Sequence, residues 1–199
     1  LWLVYPLIKA LHEAAPAFVV KRFGGEVHEV GITLLMLTPV PYVDASASVA
    51  FSSKGQRAAV ALAGILVEAT LASLALVLWL LLEPGLARDM AFAVVLIGGV
   101  STLLVNGNPL LRFDGYFAFC DLLELPNLAQ RSARYWRFVL ARRALRLPRA
   151  RFGALSRGER PWLLAYAPLA WCGRVALLLL LTLALAGVLA ALGLAALAL

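Results

Sequence analysis

The apolar positions of this chain fall into long runs separated by short polar breaks. Residues 1–20, LWLVYPLIKALHEAAPAFVV, are interrupted only by Lys9, His12 and Glu13, and a membrane-spanning helix needs roughly 20 such residues. The following KRFGG supplies two cations and a glycine stop. Residues 31–43, GITLLMLTPVPYV, are too short and too proline-rich for a span. They predict a re-entrant or extended piece packed against protein. After the polar DASASVAFSSKGQR, residues 58–82 and 90–105 predict two spanning helices joined by EPGLARD. NGNPLLRFDGY breaks the second of these, and residues 116–125 predict a short half-buried helix. Near the end, 161–173 read as an interfacial segment and 175–199 as a last span. The predicted fold class is an all-α membrane protein, a polytopic transmembrane helix bundle with a short re-entrant or extended segment after the first helix. Three regions follow: a transmembrane core at 1–125, an arginine-rich loop at 126–162, and a C-terminal interfacial segment and helix at 163–199.

Composition strengthens the membrane reading. Of 199 residues, 63% are hydrophobic and the mean hydropathy is +0.89, whereas a soluble domain is nearer half apolar. The chain starts at Leu1 rather than Met, and we read it as a fragment or processed product. Charge then adds an orientation. The formal net charge is +7, but the cations are concentrated: residues 126–162 carry ten arginines and one acid, Glu159. In a membrane protein such a block stays cytoplasmic and meets anionic lipid. No recognition motif accompanies it, so nucleic acid is not an expected partner. The two cysteines, Cys120 and Cys172, have neither disulfide nor zinc-knuckle spacing and read as packing residues.

Ionisable groups inside apolar helices are costly and mark sites. Four places qualify: Lys9, His12 with Glu13, Glu68, and Arg112 with Asp114. Glu68 reads first as structural, paired with a cation or protonated. Lys9 is a lone cation that could reach a cavity or a carboxylate. Asp114 follows an Asn-Gly-Asn-Pro break and precedes Gly115. A carboxylate there wants a cation, which is either a metal held on the first helix or the side chain of Arg112 or Lys9. The run LHEAAPAF begins like H-E-x-x-H, in which histidines at i and i+4 present both imidazoles to one zinc ion. The glutamate between them takes the proton of the metal-bound water. Here position 16 is Pro16.

Together HEAAP at 12–16 and NPLLRFDG at 108–115 resemble the site-2 protease family of intramembrane zinc metallopeptidases. Flanking text (KRFGGEVHEVGI, TPVPYVDAS, LAGILVE, GVSTLLVNGNPLLRFDGYF, DLLELPNLAQRS) resembles a bacterial branch often joined to secretion-adaptor segments. The likeness covers about residues 5–175. It implies that His12 is a metal ligand, Glu13 the general base and proton donor, Asp114 a further ligand, and Asn108 a group near substrate or oxyanion. It also implies Zn²⁺ as cofactor and hydrolysis of a peptide bond in or near a transmembrane segment. The expected partners are the lipid bilayer, a transmembrane-helix substrate or partner, and a secretion adaptor. The expected location is the bacterial inner membrane.

Pro16 replaces the second histidine ligand of that pattern. It also removes the N–H that would bond the His12 carbonyl, against which its ring clashes. Rescue would have to come from water, from His28, or from a carboxylate such as Glu124. The competing reading is a catalytically inactive membrane module of the same family. A solute or metal-ion carrier ranks below both, because the sequence shows no repeated half.

Overall fold

In the computed structural model, described for residues 4–35, 38–143, 152–153, 155 and 158–197, the chain is mostly helical. It divides into two units, Leu1–Pro126 and Asn127–Leu199. In the first unit, α1 (Val4–Arg22) leads into an antiparallel hairpin of β1 (Val30–Leu35) and β2 (Thr38–Val43). Val30 pairs with Val43, and Ile32 with Pro41. The predicted extended segment is therefore a two-stranded ribbon. Val30, Ile32 and Leu34 point to one face of β1 and are all exposed, as the period of two demands. A 3₁₀ turn (Ser46–Ala50) follows. Ser46 donates its backbone N–H to Asp44 at 2.9 Å, and hydrogen bonds from Ser46 hold the Asp44 carboxyl below its ordinary range.

Next come α2 (Lys54–Leu81) and α3 (Leu86–Val94). The latter runs on as a wider π-type helix (Val95–Asn106). A loop then leads to α4 (Asp114–Leu123). Among the described residues three helices are long and apolar enough to cross a membrane: α2, the continuous Leu86–Asn106, and Glu159–Ala190. The first helix, expected as a span over residues 1–20, is described only from Val4, and Val4–Arg22, with Lys9, Glu13, Lys21 and Arg22, is not among them. The Pro16 ring does not end α1, which continues through it to Arg22.

The contact between α2 and the π segment is made by small residues. A Cβ added at Gly98 would sit 2.8 Å from the Glu68 carbonyl oxygen and 3.4 Å from Ala72 Cβ. Close backbone approach of this kind is how apolar helices pack without a hydrophobic drive between them.

The second unit pairs α5 (Leu128–Arg143) with α6 (Glu159–Leu197). The arginine-rich stretch is thus not all loop. Its first part is helical, because Leu128, Ala129, Ser132 and Tyr135 recur at helical spacing and are buried. Arg146, Arg149, Arg151 and Arg157 lie outside the described residues. Residues 161–173, expected as an interfacial segment, lie in one 39-residue helix with the residues that follow. Pro168 lies inside that helix and cannot donate to the carbonyl of Leu164, four residues back. Trp136 supplies the missing donor: its Nε1–H bonds Leu164 O at 2.9 Å. One turn away, Ser132 Oγ donates to Leu163 O at 2.6 Å and accepts from Ala167 N at 3.0 Å. These bonds fix α5 on α6 at the proline. The single acid, Glu159, is buried and pairs with Arg131.

A substitution pair tests the helix contact. Gly98→Ala forces α2 and the π segment apart and is expected to destabilise the chain by about 1–3 kcal/mol, the usual cost of overpacking. Gly187→Ala, where a Cβ meets nothing within 4 Å, should leave stability unchanged or raised. Denaturation midpoints in detergent check both.

Candidate functional site

The site starts from one buried carboxylate. Glu68 lies in the middle of α2 and is fully buried. An unpaired carboxylate in such a setting costs several kcal/mol. Three residues from two other elements compensate it. Lys9 Nζ of α1 donates to Oε1 at 2.7 Å. Thr102 Oγ1 of the π segment donates to Oε2. His12 Nδ1, one turn of α1 beyond Lys9, lies 3.1 Å from Oε1, although without the alignment of a hydrogen bond.

His12 itself is 6% exposed. Its Nε2 lies 2.8 Å from Asp114 Oδ2. The ring rests on bare backbone of α2, since a Cβ at Gly64 would come within 2.5 Å of Nε2. Gly64 and Glu68 are four apart and share a face of α2, so one glycine and one carboxylate together seat the imidazole.

Asp114 reaches His12 because of the break before α4. Asn108 Oδ1 accepts the N–H of Leu110 at 2.9 Å, and the Asn108 carbonyl accepts that of Leu111 at 3.2 Å. The chain folds back so tightly that a Cβ at Gly115 would lie 2.5 Å from the Gly107 carbonyl. Only glycine fits there, and Asp114 occupies the first turn of α4, where a negative charge is favoured.

The structure therefore brings together the two residues expected as metal ligands, His12 and Asp114, which are 102 positions apart, and joins Lys9 and Glu68 to them. Glu13 is half-buried beside them, within electrostatic reach of His12 and Asp114, but it takes part in no hydrogen bond among the described residues. Asn108 shapes the loop with its side-chain oxygen. The pairing of Asp114 with Arg112 or Lys9 is not seen: Arg112 is exposed, and Lys9 goes to Glu68. Neither proposed substitute ligand is at the site. His28 is exposed in the connection after α1, and Glu124 ends α4 beside Lys54 at 3.8 Å. The residue that sequence reasoning undervalued is Glu68. Its signal was present, a lone acid in an otherwise apolar helix, but its partners could not be read without the helix packing.

The donor set can be tested against a zinc ion. The two nitrogens of an imidazole point away from each other, so Glu68 on the Nδ1 side and Asp114 on the Nε2 side cannot grip one ion together with His12. Only His12 Nε2 and Asp114 face a common point, and Pro16 offers no donor. Among the described residues no group of three His, Cys, Asp or Glu side chains is placed to hold a metal. Catalytic zinc takes three protein ligands, so the residues present do not fit it. What the arrangement does is clamp an imidazole between two carboxylates. A neutral imidazole has one N–H, so the second contact calls for another proton or a cation. Compared with known proteins, the chain matches no family model, no curated protein and no solved structure.

Removing the Glu68 charge tests the cluster. Glu68→Ala leaves the half-buried Lys9 ammonium without its partner and should destabilise the chain by about 1–3 kcal/mol, less than for a fully buried pair. Combining Lys9→Met with Glu68→Gln should cost clearly less than the sum of the two single changes. Strict additivity in the double-mutant cycle would mean the pair is not formed.

Proposed function

We propose that this chain is an integral membrane protein built on the site-2-protease plan in which the metal centre is incomplete, so that it serves as a non-catalytic membrane module that engages a partner helix or a secretion adaptor. One observation carries the reading. His12 and Asp114 meet as ligands of one centre would, while the third position of that centre is a proline without a donor. The membrane setting is supported by three long apolar helices. Their exposed leucines, such as Leu66, Leu80 and Leu183, have lipid as their natural solvent. The bacterial inner membrane, with the arginine-rich stretch in the cytoplasm, is the location that this charge distribution favours.

A second reading, an active zinc peptidase, is favoured by the 2.8 Å approach of His12 to Asp114 and by the half-buried Glu13 beside it. Activity would then depend on a third donor that the described residues lack.

Metal content separates the two. Purified wild-type chain is expected to hold well below one zinc per molecule. Pro16→His, which restores imidazoles at i and i+4, should raise the content toward one, and adding Asp114→Ala should remove it again. Near-stoichiometric zinc in the wild type, lost in His12→Ala, would overturn the non-catalytic reading. For orientation, Gly153→Cys in a Cys172→Ser background is expected to react with a membrane-impermeant maleimide only after cells are opened. Labelling of intact cells would reverse the proposed topology.

A further inference from the structure

The second unit holds a cavity of about 430 Å³ between α5 and the first turns of α6, lined by Tyr135, Phe138, Val139, Arg142, Arg143 and Arg160, with Leu164 at its wall. That volume is in the range of small-ligand pockets. Two of its three guanidiniums contact the aromatic lining. Arg160 Nε donates to the Tyr135 hydroxyl at 3.2 Å, and the Arg142 guanidinium lies 5.9 Å from the centre of the Phe138 ring. Phe152 closes an aromatic group with Tyr135 and Phe138, at 5.2 Å and 5.9 Å between ring centres.

The charge around this pocket is one-sided. From Asn127 to Leu199 the sequence has eleven arginines and one acid, Glu159. That acid is buried and already paired with Arg131. One acidic side chain, engaged by Arg131, cannot by itself neutralise Arg142, Arg143 and Arg160, so this unit offers an anion a cationic pocket. Guanidinium forks match the oxygens of a phosphate.

We infer that this pocket binds the phosphate-bearing head group of an anionic lipid. The inference rests on the reading of α6 as a membrane-spanning helix. A soluble phosphate offers the same oxygens, but two features favour lipid. Phe138, Val139 and Leu164 give the pocket an apolar wall. The helix that carries Arg160 in its first turn continues as an apolar run whose leucines, such as Leu178 and Leu183, are exposed. Exposed Trp162 in its first turn is of the residue type that sits at head-group level.

The test uses the full chain in a neutral detergent, titrated with phosphatidylglycerol or phosphatidylcholine, with bound lipid counted by native mass spectrometry. Wild type is expected to prefer phosphatidylglycerol by at least about tenfold, given the worth of an arginine near an anionic head group. Arg142→Gln with Arg143→Gln should erase that preference. Arg134→Gln with Arg137→Gln removes the same charge from exposed positions outside the pocket and should change it by less than about twofold. Circular dichroism verifies that both double variants remain helical. Equal loss in the two double variants overturns the pocket in favour of diffuse attraction. Displacement of the lipid by inorganic phosphate, or by a short oligonucleotide with the same arginine dependence, overturns the lipid assignment. Carbonate washing of membranes tests the underlying reading separately. Release of the chain sinks the membrane assignment and the lipid site with it, whereas retention without any lipid preference sinks the pocket alone.

Discussion

The first unit is organised by the burial of one carboxylate. Glu68 is fully buried in an apolar helix, and the desolvation cost of that position has to be offset by donors from outside α2. Lys9 and His12 come from α1 and Thr102 from the π segment, so the carboxylate can be satisfied only when all three elements meet. The glycines follow from this demand. Gly64 lets the imidazole lie against α2, and Gly98 lets the π segment approach the backbone of Glu68 itself. A side chain at either place would separate the donors from the acid they serve.

His12 inherits its position from that cluster. With Nδ1 turned to Glu68, Nε2 is directed at Asp114, which is delivered by the folded-back loop and the Gly115–Gly107 contact. The imidazole is therefore preorganised, with its partners drawn from two separate stretches of chain. Preorganisation of this kind is what a metal centre requires of its ligands. Here it persists beside a proline that supplies no donor. A frame maintained by the Glu68 burial demand keeps its geometry whether or not chemistry takes place in it.

The second unit solves a different problem. Pro168 leaves the Leu164 carbonyl without its helical donor where α6 packs against α5, and an unsatisfied buried carbonyl is costly. Trp136 and Ser132 of α5 close the gap. That makes α5 a support for α6 and gathers the arginines of α5 around the head of the long helix.

Much of the fold was legible from the sequence, because in a chain this apolar the lengths of the runs and the polar breaks between them are set by local composition. Helices close to 58–82, 90–105 and 116–125 were expected and are found as Lys54–Leu81, Leu86–Asn106 and Asp114–Leu123. The continuation of α6 through Pro168 and the helical state of Leu128–Arg143 were not expected. Both depend on side chains of α5 meeting carbonyls of α6, and no local rule foresees such a contact. The same division holds at the site. The sequence by itself determined which groups were anomalous: Lys9, His12, Glu13, Glu68 and Asp114 stand out because ionisable residues are rare in apolar helices. Tertiary structure alone decided their pairing. Lys9 goes to Glu68 rather than Asp114, Asp114 goes to His12 rather than Arg112, and Asn108 turns into its own loop. Which partner a buried charge finds is fixed by where helices can approach one another, and that is governed by glycines at contact points whose meaning appears only when the neighbouring helix is in place.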